Sequence, residues 1–387
     1  MIDRPPVPLY GTASLAELIP SVMDALGVPG LRNALGFEPL TGACVLLVDG
    51  LGWQGLRVSR TVAPFLWEAA KDSTPLTAGF PATTTTSLGS LGTGLPPGEH
   101  GLVGYSFAVP GHDRAMNALR WELYGTGPSV DLRQEFPPER FQPHPTLFER
   151  AAAEGVGVVL LGPPHLARSP LERAVLRGGR YHGVHSLGDL AAAIPWRTGT
   201  ATGRRFVYAY HPGLDTTGHV RGVASEAWAL ELANVDRLVE AVVERLPPDT
   251  ALIVTGDHGM VDIEEDSRLD LVDHPALASG VRLLAGEGRA RHVHALPGAE
   301  ADVLAAWQAV VGDRMWVVSG DQAVSEGWFG PQVSDGMRSR IGEIVVAARA
   351  AVGVYQREVD PLQAGLIGHH GSMTAAEQLV PCLVFRA

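Results

Sequence analysis

The stretch Val45–Trp53, VLLVDGLGW, sets the architecture. From Cys44 to Val48 the chain is apolar without alternation, the pattern of a strand covered on both faces. Asp49 follows at once, and Gly50 and Gly52 open a tight turn. The same grammar recurs twice. ALIVTGDHGM (Ala251–Met260) ends in Asp257 and His258 between Gly256 and Gly259, and FVYAYHPGLDTTGH (Phe206–His219) leaves a strand to present Asp215 and His219. Singly, an Asp-Gly after a strand is an ordinary turn. In an open α/β sheet, however, ligands gather beyond the carboxyl ends of the strands, and carboxylates are rarely buried without a partner. Repetition at strand exits points to one shared site rather than to packing.

Working outward, further strands are expected at Val156–Leu161, Ile344–Ala348 and Val380–Phe385. Amphipathic stretches at Ala63–Lys71, Pro145–Glu154, Ser225–Arg245 and Ala301–Val311 read as helices. Continuous apolar strands separated by helices predict an α/β fold with a mainly parallel central sheet and helices on both faces. A Gly/Thr/Arg-rich loop is expected over Pro195–Arg204. Residues 289–331 read as a small strand–helix–strand insertion, a cap within one catalytic domain spanning 1–387. His292 and His294 alternate along its first strand and are expected at the surface.

The net charge of -12 disfavours a nucleic-acid polymer as partner, since such surfaces are basic. A small anionic substrate remains compatible, because bound metals would invert the local potential. Lys71 is the only lysine. Cys44 and Cys382 sit in apolar runs without metal or redox spacing, and read as small buried hydrophobes. MIDRPPVPLYG at the start lacks the features of a secretion signal, and no segment is apolar enough to span a bilayer. A cytoplasmic protein without a membrane partner is the expectation.

Asp49, Thr84, Asp215, His219, Asp257, His258 and His370 are the types that hold two divalent metals around a hydroxyl. Asp215 and His219 are four apart, so one helical turn puts them on one face. Carboxylate oxygen with imidazole nitrogen suits zinc or manganese better than magnesium or calcium. The segment Phe80–Tyr105, FPATTTTSLGSLGTGLPPGEHGLVGY, reads as a strand-to-helix junction rich in hydroxyls. A threonine at a helix N-terminus faces free N–H groups and the positive dipole end, which favours an alkoxide and a bound phosphate. N-capping is the plainer use of the same residue.

In order, VDGLG, TTTTSLGSLGTG, DTTGH, DHG and HHGS resemble the alkaline phosphatase superfamily, and within it the type I phosphodiesterase/nucleotide pyrophosphatase family. The resemblance runs from about Val45 to Val384 and implies a three-layer alkaline-phosphatase-like fold. It places the nucleophile nine positions before Thr93 of the Thr93–Gly94 pair, at Thr84, with Thr83 as the neighbouring candidate. It implies one metal on Asp49, Asp257, His258 and the Thr84 oxygen, and another on Asp215, His219 and His370, with His369 as the alternative. His100 matches a landmark that is not a ligand.

Departures are informative. Pro81 precedes the nucleophile, whereas the phosphodiesterase branch has a proline after it. Tyr105 stands about where that branch has a phosphate-holding asparagine, and becomes the candidate substrate contact. Thr85 follows where alkaline phosphatases have an arginine, and the sulfatase cysteine pattern is absent. The implied activity is hydrolysis of a small nucleotide-like diester or pyrophosphate through a phosphothreonine. A phosphomonoesterase, a phosphonoacetate-type hydrolase or a phosphomutase is the alternative within the superfamily, and a metal-stabilised nucleotide-binding pseudoenzyme the alternative outside enzymes. Phe80, Tyr105, Phe107 and Trp121 are candidates either for stacking a base or for core packing.

Overall fold

In the computed structural model, which describes residues 4–199 and 203–387, the opening stretch forms strand β1 (Gly42–Val48). Its partners in a six-stranded sheet are β2 (Gly157–Gly162), β3 (Arg180–Gly183), β4 (Arg205–His211), β5 (Thr250–Thr255) and the C-terminal strand Cys382–Arg386. The order is Cys382–Arg386, β5, β1, β4, β2, β3. All pairings are parallel except that of Cys382–Arg386, which lies antiparallel at the edge. In register, Val48 faces His211 and Leu47 faces Thr255. The segments leaving β1, β4 and β5 therefore start from one edge of the sheet.

Why β1 is apolar throughout follows from its two faces. Ala43, Val45 and Leu47 pack in a cluster with helices α1 (Leu15–Ala25) and α2 (Thr84–Thr93). Cys44, Leu46 and Val48 pack on the other side with Ile194 of helix α3 (Leu187–Gly199) and Val235 of a further helix. That helix, Glu226–Val243, follows a shorter one, α4 (Gly213–Arg221), and is α5. The Ser225 hydroxyl caps it by accepting from the Trp228 N–H at 3.1 Å. Helices on both faces of the sheet make three layers. Among the described residues, no helix is long and apolar enough to cross a membrane.

Several expectations change here. Ile344–Ala348 is a strand, but it belongs to a second, four-stranded antiparallel sheet. That sheet comprises β6 (Val281–Glu287), β7 (Ala290–Ala295), β8 (Met315–Ser319) and β9 (Ile344–Ala348), in the order β6-β7-β9-β8. It too is covered twice: Ile344 and Val346 pack with Trp307 of helix α6 (Glu300–Val311), while Val345 and Ala347 face the main body. A strand covered on both faces is apolar throughout whether its neighbours run parallel or not, so the pattern alone misassigned it. The strand–helix–strand unit expected over 289–331 thus takes one strand from each side of that range.

His292 and His294 are buried rather than at the surface, because they share the inward face of β7 with Ala290. The His292 Nε2–H donates to the Val103 carbonyl at 2.7 Å. The loop expected over Pro195–Arg204 is in part helix, since α3 runs to Gly199 with Pro195 inside it; residues 200–202 lie outside the described residues. Val380–Phe385 divides at Pro381, with Leu379–Val380 pairing with Leu76–Thr77 and the edge strand starting at Cys382.

Candidate active site

Asp49 leaves β1 with its N–H donating to the His211 carbonyl (2.9 Å), and its own carbonyl accepts from the Asp215 N–H (3.0 Å). The loop after β4 is thereby fastened to the loop after β1. Gly50, at φ +76°, fits against the Asp215 backbone, where a Cβ would lie 3.0 Å from Asp215 Cα. Its N–H donates to Asp257 Oδ1 (3.1 Å), which brings in the loop after β5. The three strand exits that the sequence singled out thus meet in fact.

Asp49, Asp257 and His258 are buried, with Asp215, His219 and His370 half-buried around them. Asp215 and His219, four apart on α4, stand 3.3 Å apart (Oδ1 to Nε2). His258 Nε2 lies 3.4 Å from both Asp49 Oδ1 and Asp257 Oδ2, and His370 Nε2 lies 3.9 Å from Asp215 Oδ1. The His258 and His370 rings stack at 3.6 Å.

Each imidazole is aimed by the main chain. The Nδ1 atoms of His219, His258 and His370 contact the carbonyls of Gly368 (2.7 Å), Gly259 (3.1 Å) and Ala82 (3.0 Å). A carbonyl only accepts, so each Nδ1 carries the proton and each Nε2 lone pair is left facing the carboxylates. Among the described residues, Asp49 Oδ1, Asp215 Oδ1 and Asp257 Oδ2 are buried without any hydrogen-bond partner. Burial, then the charges of Asp257 and Asp215, raise the Asp49 carboxyl well above the usual range. Burial likewise raises Asp215, and burial followed by His258 and His219 holds His370 well below an ordinary histidine. Such a set is costly without a cation and suited to one.

Two groups within it satisfy the geometry of a shared ion: Asp215, His219 and His370 form one, and Asp49, Asp215 and His258 the other. Asp215 belongs to both. Asp257 enters neither group, but its unpartnered Oδ2 faces His258 Nε2. His369 points elsewhere, its Nε2 engaged with the Tyr355 hydroxyl and the Leu366 carbonyl, both at 3.1 Å.

The threonine run resolves by its hydroxyls. Thr85 and Thr86 donate to the Gly104 and Leu102 carbonyls (2.8 and 3.0 Å), and Ser87 donates to the Asp257 carbonyl (2.7 Å). Thr83 is the N-cap of α2 and interacts with Glu287. Thr84, the first residue of α2, instead directs Oγ1 at His258 Nε2, 3.3 Å away. The N–H groups of the first turn have no acceptor within the helix. His100 packs against α2, where a Cβ at Gly89 would come within 2.5 Å of its ring. It contacts the Ser90 hydroxyl (3.3 Å) and lies outside the cluster.

A cavity of about 460 Å³ opens over Thr84, Asp49, Asp215, His219 and His370. Tyr105 lines it, its hydroxyl pushed up to about 12 by burial first of all. Phe80, Phe107 and Trp121 do not; they are buried, Phe80 against Trp328 and Trp121 against Phe141. Two contributors escaped the sequence reading. The Tyr210 hydroxyl donates to Asp49 Oδ2, and the only signal for it was its place at the end of β4. Glu287, raised to about 8 chiefly by burial, lines the cavity and accepts from the Tyr105 N–H. A carboxylate between two glycines in an apolar run was its signal.

A mainly parallel sheet between two helical layers, with carboxylates and imidazoles at its carboxyl edge and a hydroxyl at a helix start, defines an alkaline-phosphatase-like scaffold. The chain belongs to the type I phosphodiesterase / nucleotide pyrophosphatase family, which matches residues 43–373, and it is a phosphoric ester hydrolase of that family. Murine ectonucleotide pyrophosphatase / phosphodiesterase 5, solved as an inactive variant in complex with AMP, superposes with a TM-score of 0.68 at 17% identity. That alignment covers 89% of this chain and 88% of the other. The human counterpart gives a TM-score of 0.67 at 18% identity over the same shares. Human GPI ethanolamine phosphate transferase 3, catalytic subunit, is 39% identical over 66 residues, or 16% of this chain and 6% of that much longer protein.

Proposed function

We propose that the protein hydrolyses a small phosphodiester or pyrophosphate by way of a phosphothreonine at Thr84. The observation that carries this is the Thr84 hydroxyl at the start of α2, 3.3 Å from His258 Nε2 and facing carboxylates with unpartnered oxygens. Asp49, Asp257, His258 and the Thr84 oxygen would hold one divalent metal, and Asp215, His219 and His370 a second; the mixed oxygen and nitrogen donors suit zinc, or manganese. When bound, such a pair supplies positive charge against the attacking and leaving oxygens of an in-line transfer.

The chain's own part is positioning. The Thr84 oxygen attacks phosphorus as its proton passes to solvent. The bond from phosphorus to the ester oxygen breaks, and that arm leaves as the alcohol with a proton from solvent. Water then attacks the phosphothreonine, the bond from phosphorus to the Thr84 oxygen breaks, and the phosphate product leaves with the Thr84 hydroxyl restored. The N–H groups of the first turn of α2 would face the phosphoryl oxygens, and Tyr105 lines the same cavity. AMP in the murine structure makes a nucleotide-like ester one class to test here.

Thr84→Ala should abolish turnover of an aryl phosphodiester while metal content stays near two per chain by elemental analysis. Full activity in that variant would remove Thr84 as the nucleophile. Rates on a monoester and a diester sharing one leaving group separate diesterase from monoesterase.

A further inference from the structure

Behind the nucleophile a second cavity of about 90 Å³ opens at Thr84 and runs inward between α2, the end of β2 and β4. Leu88, Leu161, Leu171 and Leu176, all nearly buried, supply much of its wall, which Ser169 and Glu172 also border. Leu88 lies four residues after Thr84, so the helix that presents the hydroxyl presents an aliphatic side chain one turn further on the same face. At the mouth, Leu119 and Leu166 border both this cavity and the larger one.

Two other observations point to an occupant. Tyr208 is among the lining residues of the notch, and its hydroxyl is buried without a hydrogen-bond partner among the described residues. The rim of the larger cavity carries aliphatic side chains held in water, with Leu119 at 42%, Val220 at 50% and Leu362 at 63% exposure. No lysine or arginine lines either cavity among the described residues. An anionic second arm, such as the further phosphates of a polyphosphate, would find no counter-charge there beyond the metals, whereas an aliphatic or aryl arm would find a matched surface.

We propose that this notch is a substrate subsite, and that it takes an apolar ester arm of the phosphodiester, an alkyl chain of several carbons or an aryl ring. The inference rests on the diesterase reading above and names the substrate class of that same site. Leu88, Leu161 and Leu171 contact the arm, and Leu166 and Leu119 guide its entry.

The test compares p-nitrophenyl methyl, butyl and hexyl phosphate, and the p-nitrophenyl ester of thymidine monophosphate, on the metal-loaded full-length chain. Burying methylenes favours kcat/KM by about fourfold each where they reach the notch, so hexyl should exceed methyl by at least about tenfold. In Leu166→Trp, which narrows the mouth, the hexyl-to-methyl ratio should fall towards one. A flat alkyl series, or a thymidine ester preferred over the hexyl ester, overturns the proposal while leaving the diesterase reading intact. If no diester is cleaved, that reading fails instead, and calorimetric binding of hexylphosphonate against methylphosphonate decides the notch: tighter hexyl binding upholds it and equal binding overturns it.

Discussion

Replacing Glu377 by glutamine should loosen the site from a distance. Arg289, on the turn between β6 and β7, forks onto Glu377 with Nε to Oε1 at 2.6 Å and an Nη to Oε2 at 2.7 Å. The two side chains are 1% and 0% exposed, so this pair is fully desolvated. Arg289 also donates to the carbonyls of Ala350 (2.8 Å) and Val352 (2.9 Å). Glu377 in turn accepts from the Ser372 N–H (3.0 Å), two residues after His370, and its carbonyl accepts from the Gly259 N–H (2.7 Å), next to His258.

Removing one charge of such a pair strands the other in the interior, at a cost of about 3–5 kcal/mol. With an unfolding entropy of about 2.1 cal/mol/K per residue, a 387-residue chain loses about 5 °C of Tm for about 4 kcal/mol. Scanning calorimetry of Glu377→Gln should show that fall, and metal titration should show weaker binding because the His370 loop has lost an anchor. The double variant Arg289→Met/Glu377→Leu should recover only part of the Tm, since an apolar pair leaves no stranded charge but leaves the Ala350 and Val352 carbonyls and the Ser372 N–H without these partners. A Glu377→Gln protein within about 1 °C of the parent would refute this account of how the second sheet is tied to the site.

Burial holds His100 down at about 3 and His292 at about 4. The folded state keeps both rings neutral while the unfolded chain protonates near 6.5, so stability is full above pH 6.5 and is lost as pH falls towards 4, by about 1.4 kcal/mol per pH unit for each ring. Urea midpoints of His292→Gln should therefore vary less steeply across that window, and an unchanged slope would contradict it. Gly259→Ala would set a Cβ 2.0 Å from the Ala376 carbonyl oxygen; the forced shift should cost about 1–3 kcal/mol, read as a lowered Tm. Tyr210→Phe removes the donor on Asp49 Oδ2 and should lower kcat/KM or metal affinity by about tenfold or more, while unchanged kinetics and metal binding would make that hydrogen bond incidental.

The site was legible because its parts are punctuated. Asp49, Asp257 and Asp215 each follow an apolar run at a glycine-bearing turn, and a parallel sheet delivers such exits to one edge. Ile344–Ala348 was misassigned because apolar runs report burial and not strand direction. His292 and His294 were misplaced for a related reason, since alternation reveals a face without saying what covers it. Tyr210 and Glu287 act through the third dimension alone: one reaches across from β4 to Asp49, the other from β6 to Tyr105. Tyr210 carries no local mark that separates it from core, and Glu287 only that of a carboxylate between two glycines.

The imidazoles of the site are oriented by carbonyls at Ala82, Gly259 and Gly368, not by side chains. Every amino acid supplies that same acceptor, so no single exchange can delete it; only a displaced backbone can. Sequence drift is thus blind to the orientation of these rings, while insertions or deletions in the three loops are not. Over long divergence the scaffold can change most of its side chains and still aim the same nitrogens inward, provided loop lengths are held.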